Sequence, residues 1–153
     1  MPQRPAATAE ALVVAFPTMG VNAEELRQVR FLAPLKDRAL KGLAKGMTER
    51  SVPEGEDLVT AGESGIAFFV VLDGELRVII DGEEVSRLGP GDHFGEIALI
   101  VPEAKRTATV RAATPVRVGG LSQWNFKGFL SEHPETHWPL LVTLAHQVAR
   151  VGG

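Results

Sequence analysis

Residues able to do chemistry concentrate in one stretch, Gly91-Asp92-His93-Phe94-Gly95-Glu96-Ile97-Ala98-Leu99-Ile100, followed by Pro102-Glu103-Ala104-Lys105-Arg106-Thr107-Ala108-Thr109-Val110. A glycine-led turn ahead of Glu96-Ile97-Ala98-Leu99 predicts one turn of helix wedged between strands, too apolar for a surface loop. The first N–H groups of a helix have no intrahelical partner, so such a turn offers donors and a favourable dipole to an anion. Gly95 would let the backbone approach a ligand closely. Arg106 adds a forked cation and Thr107 a hydroxyl, both suited to phosphate oxygens. A Glu96–Arg106 salt bridge that only locks the turn is the plainer reading of that pair alone. The glycine before it, the apolar turn after it and the threonine that follows favour an anion cradle.

Other chemistries find little support. With no cysteine, the chain has no thiolate metal site, disulfide or cysteine nucleophile. His133 and His137 are four positions apart and read as a solvated helix face, because no third ligand shares their register. His93 reads as packed or exposed rather than as a ligand. A metal-dependent enzyme on a β-roll would need several inward histidines, and only His93 falls in the β region. No nucleophile, base and oxyanion constellation stands out, so neither catalysis nor a metal cofactor is expected.

The elements that must position the cradle follow from composition and rhythm. At 153 residues, 44% hydrophobic and 23% charged, the chain predicts one globular domain. Its net charge of −3 disfavours a polyanion such as DNA. No apolar run is long enough to span a membrane, and a cytoplasmic location is the default expectation. Residues 1–22, rich in Ala and Pro, read as a flexible arm, or alternatively as a docking segment built on Leu12, Val13, Val14 and Phe16. Residues 23–151 form the domain. Helical spacing of Leu26, Val29, Leu35, Leu40, Leu43 and Met47 predicts two short helices over 23–47, separated at Pro34, with Asn22 as a cap.

Over 48–121 the texture is β. Apolar runs at 57–60, 67–72, 75–80, 84–88, 106–113 and 115–121 alternate with glycine-bearing turns. Asp73-Gly74 and Asp81-Gly82 both read as hairpin turns. Over 122–151 the chain returns to helix. Ser122 caps a helix carrying Trp124, Phe126, Phe129 and Leu130, and Pro134 precedes a final helix with Leu141, Leu144, Val148 and Val151 on one stripe. The fold class is therefore mainly β (α+β): an antiparallel β-roll or jelly roll of about eight strands, with N-terminal helices and C-terminal hinge and lid helices.

Phe94-Gly95-Glu96-Ile97-Ala98-Leu99 with Arg106-Thr107-Ala108-Thr109-Val110-Arg111-Ala112 closely resembles the phosphate-binding cassette of cyclic nucleotide-binding domains, here 94–108. Val52-Pro53-Glu54-Gly55-Glu56, Gly62-Glu63 and Phe69-Val70-Val71-Leu72-Asp73-Gly74 look like that family's β-roll glycine frame, and the resemblance covers about 31–151. It implies a cyclic purine nucleotide, cAMP or cGMP, as ligand. Glu96 would accept from the ribose 2′-hydroxyl, while Gly95, Ile97 and Ala98 line the phosphate with backbone. Arg106 would pair its charge and Thr107 add a hydroxyl. Val78, Val85 and Ser86 would lie near the base or sugar. Thr107 is compatible with either nucleotide. The loop at 100–105 departs from the family in lacking a glycine and in carrying Glu103, which Lys105 offsets.

The resemblance further implies a regulatory sensor, free-standing or excised, whose C-terminal helices respond to ligand through Arg150 or Val151. The chain ends too soon after the last helix for a DNA-reading helix pair, so direct DNA binding is not expected. A protein partner or fused effector would supply the output. The final stripe has the spacing of a homodimer seam, although packing on the roll is the favoured use. A scaffold that binds no ligand is the alternative function.

Overall fold

The computed structural model describes residues 20–59, 67–95 and 108–152. Helix α1 (Ala23–Leu26) starts from a capping box: the Asn22 side chain accepts from Glu24 N–H, and Glu25 accepts from Asn22 N–H. A 3-10 turn (Arg30–Leu32) and helix α2 (Asp37–Gly46) follow, so the two helices expected around Pro34 are joined by a third, tighter element. Leu26, Val29, Phe31, Leu32, Leu35 and Leu40 are all buried by these turns.

Among the described residues, eight strands form two four-stranded antiparallel sheets. One has the order β1 (Thr48–Val52), β8 (Val116–Ser122), β3 (Ala67–Asp73), β6 (His93–Phe94). The other runs β2 (Asp57–Val59), β7 (Thr109–Ala112), β4 (Leu76–Ile80), β5 (Glu83–Leu88). Asp81-Gly82 is the hairpin turn expected, with φ of 52° and 82° joining β4 to β5.

Asp73-Gly74 is not a hairpin turn. It carries the chain from β3 in the first sheet to β4 in the second. The local chemistry is the same, but here the glycine serves a close crossing: a Cβ on Gly74 would lie 2.2 Å from the Pro115 carbonyl oxygen, at φ +85°. A register shift between Val71 and Asp73 bends β3 into this crossing.

Strands β3 and β8 separate two cores, and their alternation feeds both. Phe68, Val70, Leu72 and Leu121 join the helices in one cluster with Leu26, Leu40, Phe126 and Leu140. Phe69, Val71, Val116 and Val118 fill the roll with Val52, Leu76, Phe94 and Val110. The Phe68 ring stacks on Phe126 at 4.6 Å, and its neighbour Phe69 stacks on Phe94 at 5.2 Å. Phe69 pairs with Gly120, where an added Cβ would come within 3.1 Å of the ring. On the other face, Gly119 leaves room for Val21 and Met47.

Helix α3 (Gln123–Glu132) is capped by Ser122, whose hydroxyl accepts from Asn125 N–H. It buries Phe126 and Phe129, while Trp124 turns outward, 80% exposed. A 3-10 turn at Pro134–Thr136 leads into helix α4 (His137–Gly152), which packs on the Arg30–Leu32 turn. The buried stripe of α4 differs from the one expected: Leu140 packs inward, with Leu144 half-buried beside it, and Leu141 is exposed. Leu140 and Leu141 are adjacent in sequence, so periodicity alone could not choose between them. The side chains of Val148 and Val151 lie outside the described residues.

Candidate nucleotide-binding site

Strand β6 ends in Phe94, whose ring lies inside the roll, and Gly95 follows at φ +97°. That dihedral belongs to the left-handed side of the map, where a side chain is strained, so glycine is required for the chain to leave the sheet at this point. Glu96, Ile97, Ala98, Arg106 and Thr107 lie outside the described residues, as do Glu103 and Lys105. The chain returns as β7, in which Thr109 pairs with Ile79 and Val110 with Val78.

Val78 and Ser86 are cross-strand partners. Val78 also faces the buried Val110, which puts this pair on the inner face of the second sheet, next beyond Leu76 and Leu88. Both residues are only partly covered. Val85 is skipped by the ladder, which passes from Val78↔Ser86 to Ile79↔Glu84, and it is 51% exposed. Gly95 thus follows β6, Val78 and Ser86 share the inner face of the second sheet beside Val110 of β7, and Val85 sits at a bulge.

The outer face of the second sheet carries arginines already matched with acids. Arg77 and Arg87 share Glu84, at 2.7 and 2.9 Å, and Arg87 also reaches Glu75 at 3.2 Å. Hydrogen bonds from Arg87 and then Arg77 hold the Glu84 carboxyl below its ordinary range. Arg111 donates to Asp57 at 2.6 Å, and that bond raises the Arg111 guanidinium.

A charged cluster that sequence reasoning missed sits at the opposite side of the first sheet. Arg117, only 8% exposed, pairs with Glu25 and Glu49 and donates to the Gly20 carbonyl at 2.6 Å. Gly20 N–H in turn donates to Glu49 at 3.0 Å. The Glu25 hydrogen bond holds the Arg117 guanidinium above its usual range against the effect of burial, with Glu49 adding to it. Burial pushes the Glu25 carboxyl up. The Arg117 bond, the Asn22 backbone N–H and the Arg117 charge together outweigh it and leave Glu25 below 4.5. The available signal was an arginine within the apolar run Val116-Arg117-Val118.

Three of the four histidines, His93, His133 and His137, make structural contacts. His93 packs edge-on against Phe31 at 5.1 Å. His133 is the C-cap of α3, lies against Phe129 and sits 3.4 Å from Glu135. His137 opens α4 and bonds the Leu130 carbonyl at 2.6 Å. The pair therefore does not share one helix face. No group of three or more metal-ligating side chains occurs among the described residues.

Residues 49–133, from β1 to the C-cap of α3, match the family model of the cyclic nucleotide-binding domain. This chain belongs to that family. A cAMP-dependent protein kinase regulatory subunit of Yarrowia lipolytica is 37% identical to this cyclic nucleotide-binding domain over 107 residues, which is 69% of this chain and 28% of the relative. The chain thus spans well under half the length of that relative. Among solved structures, the second domain of a protein kinase A regulatory subunit bound to Sp-2Cl-cAMPS superimposes with a TM-score of 0.72 at 25% identity, covering 85% of this chain and 88% of that one. The regulatory subunit of a cAMP-independent protein kinase A from Trypanosoma brucei gives 0.68 at 25% identity, covering 82% and 45%. No helix among the described residues is long and apolar enough to cross a membrane.

Proposed function

We propose that this cyclic nucleotide-binding domain is a non-catalytic sensor that takes a cyclic purine mononucleotide, cAMP or cGMP, into the mouth of its roll. The observation that carries the reading is the family match over 49–133, because that span encloses the whole cassette motif. In this reading Ile97 and Ala98 N–H groups and the Arg106 guanidinium hold the cyclic phosphate. Thr107 adds its hydroxyl and Glu96 accepts from the ribose 2′-hydroxyl. Val78 and Ser86 line the base or sugar from the second sheet, with Val85 at the rim. Hydrogen bonds to the charged phosphate contribute about 1.5–3 kcal/mol each.

Coupling to the C-terminal helices follows a short physical path. Gly95 adjoins Phe94, Phe94 stacks on Phe69, and the next residue, Phe68, stacks on Phe126 of α3. A ligand that shifts Gly95 presses on the helical core through one peptide unit of β3. Selection between two packings of α3 and α4 requires only that the ligand contact one of them better. A protein partner or a fused effector domain would read that choice; direct DNA reading and a homodimer through α4 are not needed for it.

The Trypanosoma brucei relative, described as cAMP-independent, favours testing a second reading, in which the pocket has lost cyclic nucleotides and the domain serves as a scaffold. Calorimetric titration of the full chain with cAMP, cGMP and the parent nucleosides separates the two. A cyclic nucleotide should bind, and Arg106→Ala should abolish binding while leaving the melting curve intact. No heat and no thermal shift with any cyclic nucleotide at millimolar concentration would overturn the sensor reading.

A further inference from the structure

Between α2 and α3 runs a groove of about 420 Å³, apolar at Leu43, Leu121 and Trp124 and polar at Glu132 and His133, with Gly42 and Gly128 on its walls. Gly42 and Gly128 lie inside helices, where glycine is less favourable than alanine, yet a Cβ at either would meet nothing within 4 Å. Packing among the described residues therefore does not call for these glycines, and Trp124 is left 80% exposed beside them. We propose that the groove is the seat of the chain's own N-terminal segment 12–16, through Leu12, Val13, Val14 and Phe16.

The start of the described chain makes this occupant reachable. Gly20 is held by Arg117 and Glu49, and its φ of +76° lets the chain double back. Val21 then rests over Gly119, two residues along β8 from Leu121. Arg117 and Leu121 are separated by about 13 Å at the usual rise of a strand. The four to eight residue steps from Gly20 to segment 12–16 span up to about 13–28 Å when extended. The segment is apolar and carries no charge, which suits the part of the groove formed by Leu43, Leu121 and Trp124. Tethering so close also gives an effective concentration on the order of millimolar, which favours the chain's own arm over a second copy.

A thermal cycle in the full-length chain tests the proposal. In a chain carrying Leu12→Ser, Val13→Ser, Val14→Ser and Phe16→Ser, Gly42→Leu should raise the melting temperature, since it removes a helix glycine and covers apolar surface. In the chain with its natural arm, the same substitution should fail to raise it, because leucine displaces the arm. Equal responses in the two backgrounds would overturn the proposal. The absence of natural cysteine permits a second readout: Val14→Cys with Gly128→Cys should form a disulfide within one chain under mild oxidation. A disulfide between chains, or none, would also overturn it.

Discussion

Replacing Arg117 by methionine removes a cation from a site where two carboxylates remain. Glu49 is almost fully buried, with 7% of its side chain exposed, and Glu25 is 25% exposed, so neither is well served by water. Breaking a buried ion pair by removing one partner costs about 3–5 kcal/mol. At about 2–4 °C per kcal/mol for a domain of this size, Arg117→Met should melt on the order of 10 °C below the natural chain at pH 7. The response to acid should also change sign. In the natural protein Glu25 is held below 4.5, so it contributes stability above that pH and the contribution is lost as pH falls through the lowered value. Without Arg117, burial is the dominant influence left on Glu25 and raises it, so the folded state binds the proton more readily than the unfolded chain. Stability of the variant should then rise as pH falls from about 6 to 4.5, where Glu25 of the natural protein should give no such gain. Circular dichroism melts across that range read both effects. A variant that melts within a few degrees of the natural chain, or follows the same trend with acid, would refute the reasoning.

Gly74→Ala should lower stability by about 1–3 kcal/mol in urea unfolding, since its Cβ meets the Pro115 carbonyl at a positive φ; an unchanged midpoint would mean that the crossing relaxes freely. Ser122→Ala should lose about 1 kcal/mol with the cap of α3. Phe126→Ala should cost about 3–5 kcal/mol by emptying the stack between α3 and β3, measured by the same unfolding curves. Val78→Glu places a negative charge on the inner face beside Ser86, and calorimetry should show weaker cyclic-nucleotide binding.

Strands β2 to β5 were legible because glycine-bearing turns punctuate them, whereas β1 and the two-residue β6 were not read as separate runs; the caps at Asn22 and Ser122 were legible because their hydrogen bonds span only two or three residues. Where sequence reasoning failed, the deciding contact was remote. Arg117 meets Glu49 across 68 residues and Gly20 across 97, so no local pattern announces the cluster. Asp73-Gly74 has the composition of a hairpin turn, but the sheet that β4 joins is decided by its pairing with β5 and β7. At the site, the motif at 94–108 lies mostly outside the described residues, and of it Phe94 closes β6 and Gly95 follows. The bulge that sets Val85 apart from Val78 and Ser86 arises from strand pairing, which residue types alone do not encode.

Because β3 is apolar on both faces, hydrophobicity cannot distinguish its proper alignment on β8 from one displaced by a residue. The neighbouring Gly119 and Gly120 act instead as a keyway: one accepts the Phe69 ring from inside, the other Val21 and Met47 from outside. A slip that set Phe69 against Leu121 instead of Gly120 would drive its ring into a branched side chain, so in that direction steric fit enforces what polarity leaves ambiguous. Filling either notch should yield a chain that still collapses but no longer settles on a single strand alignment.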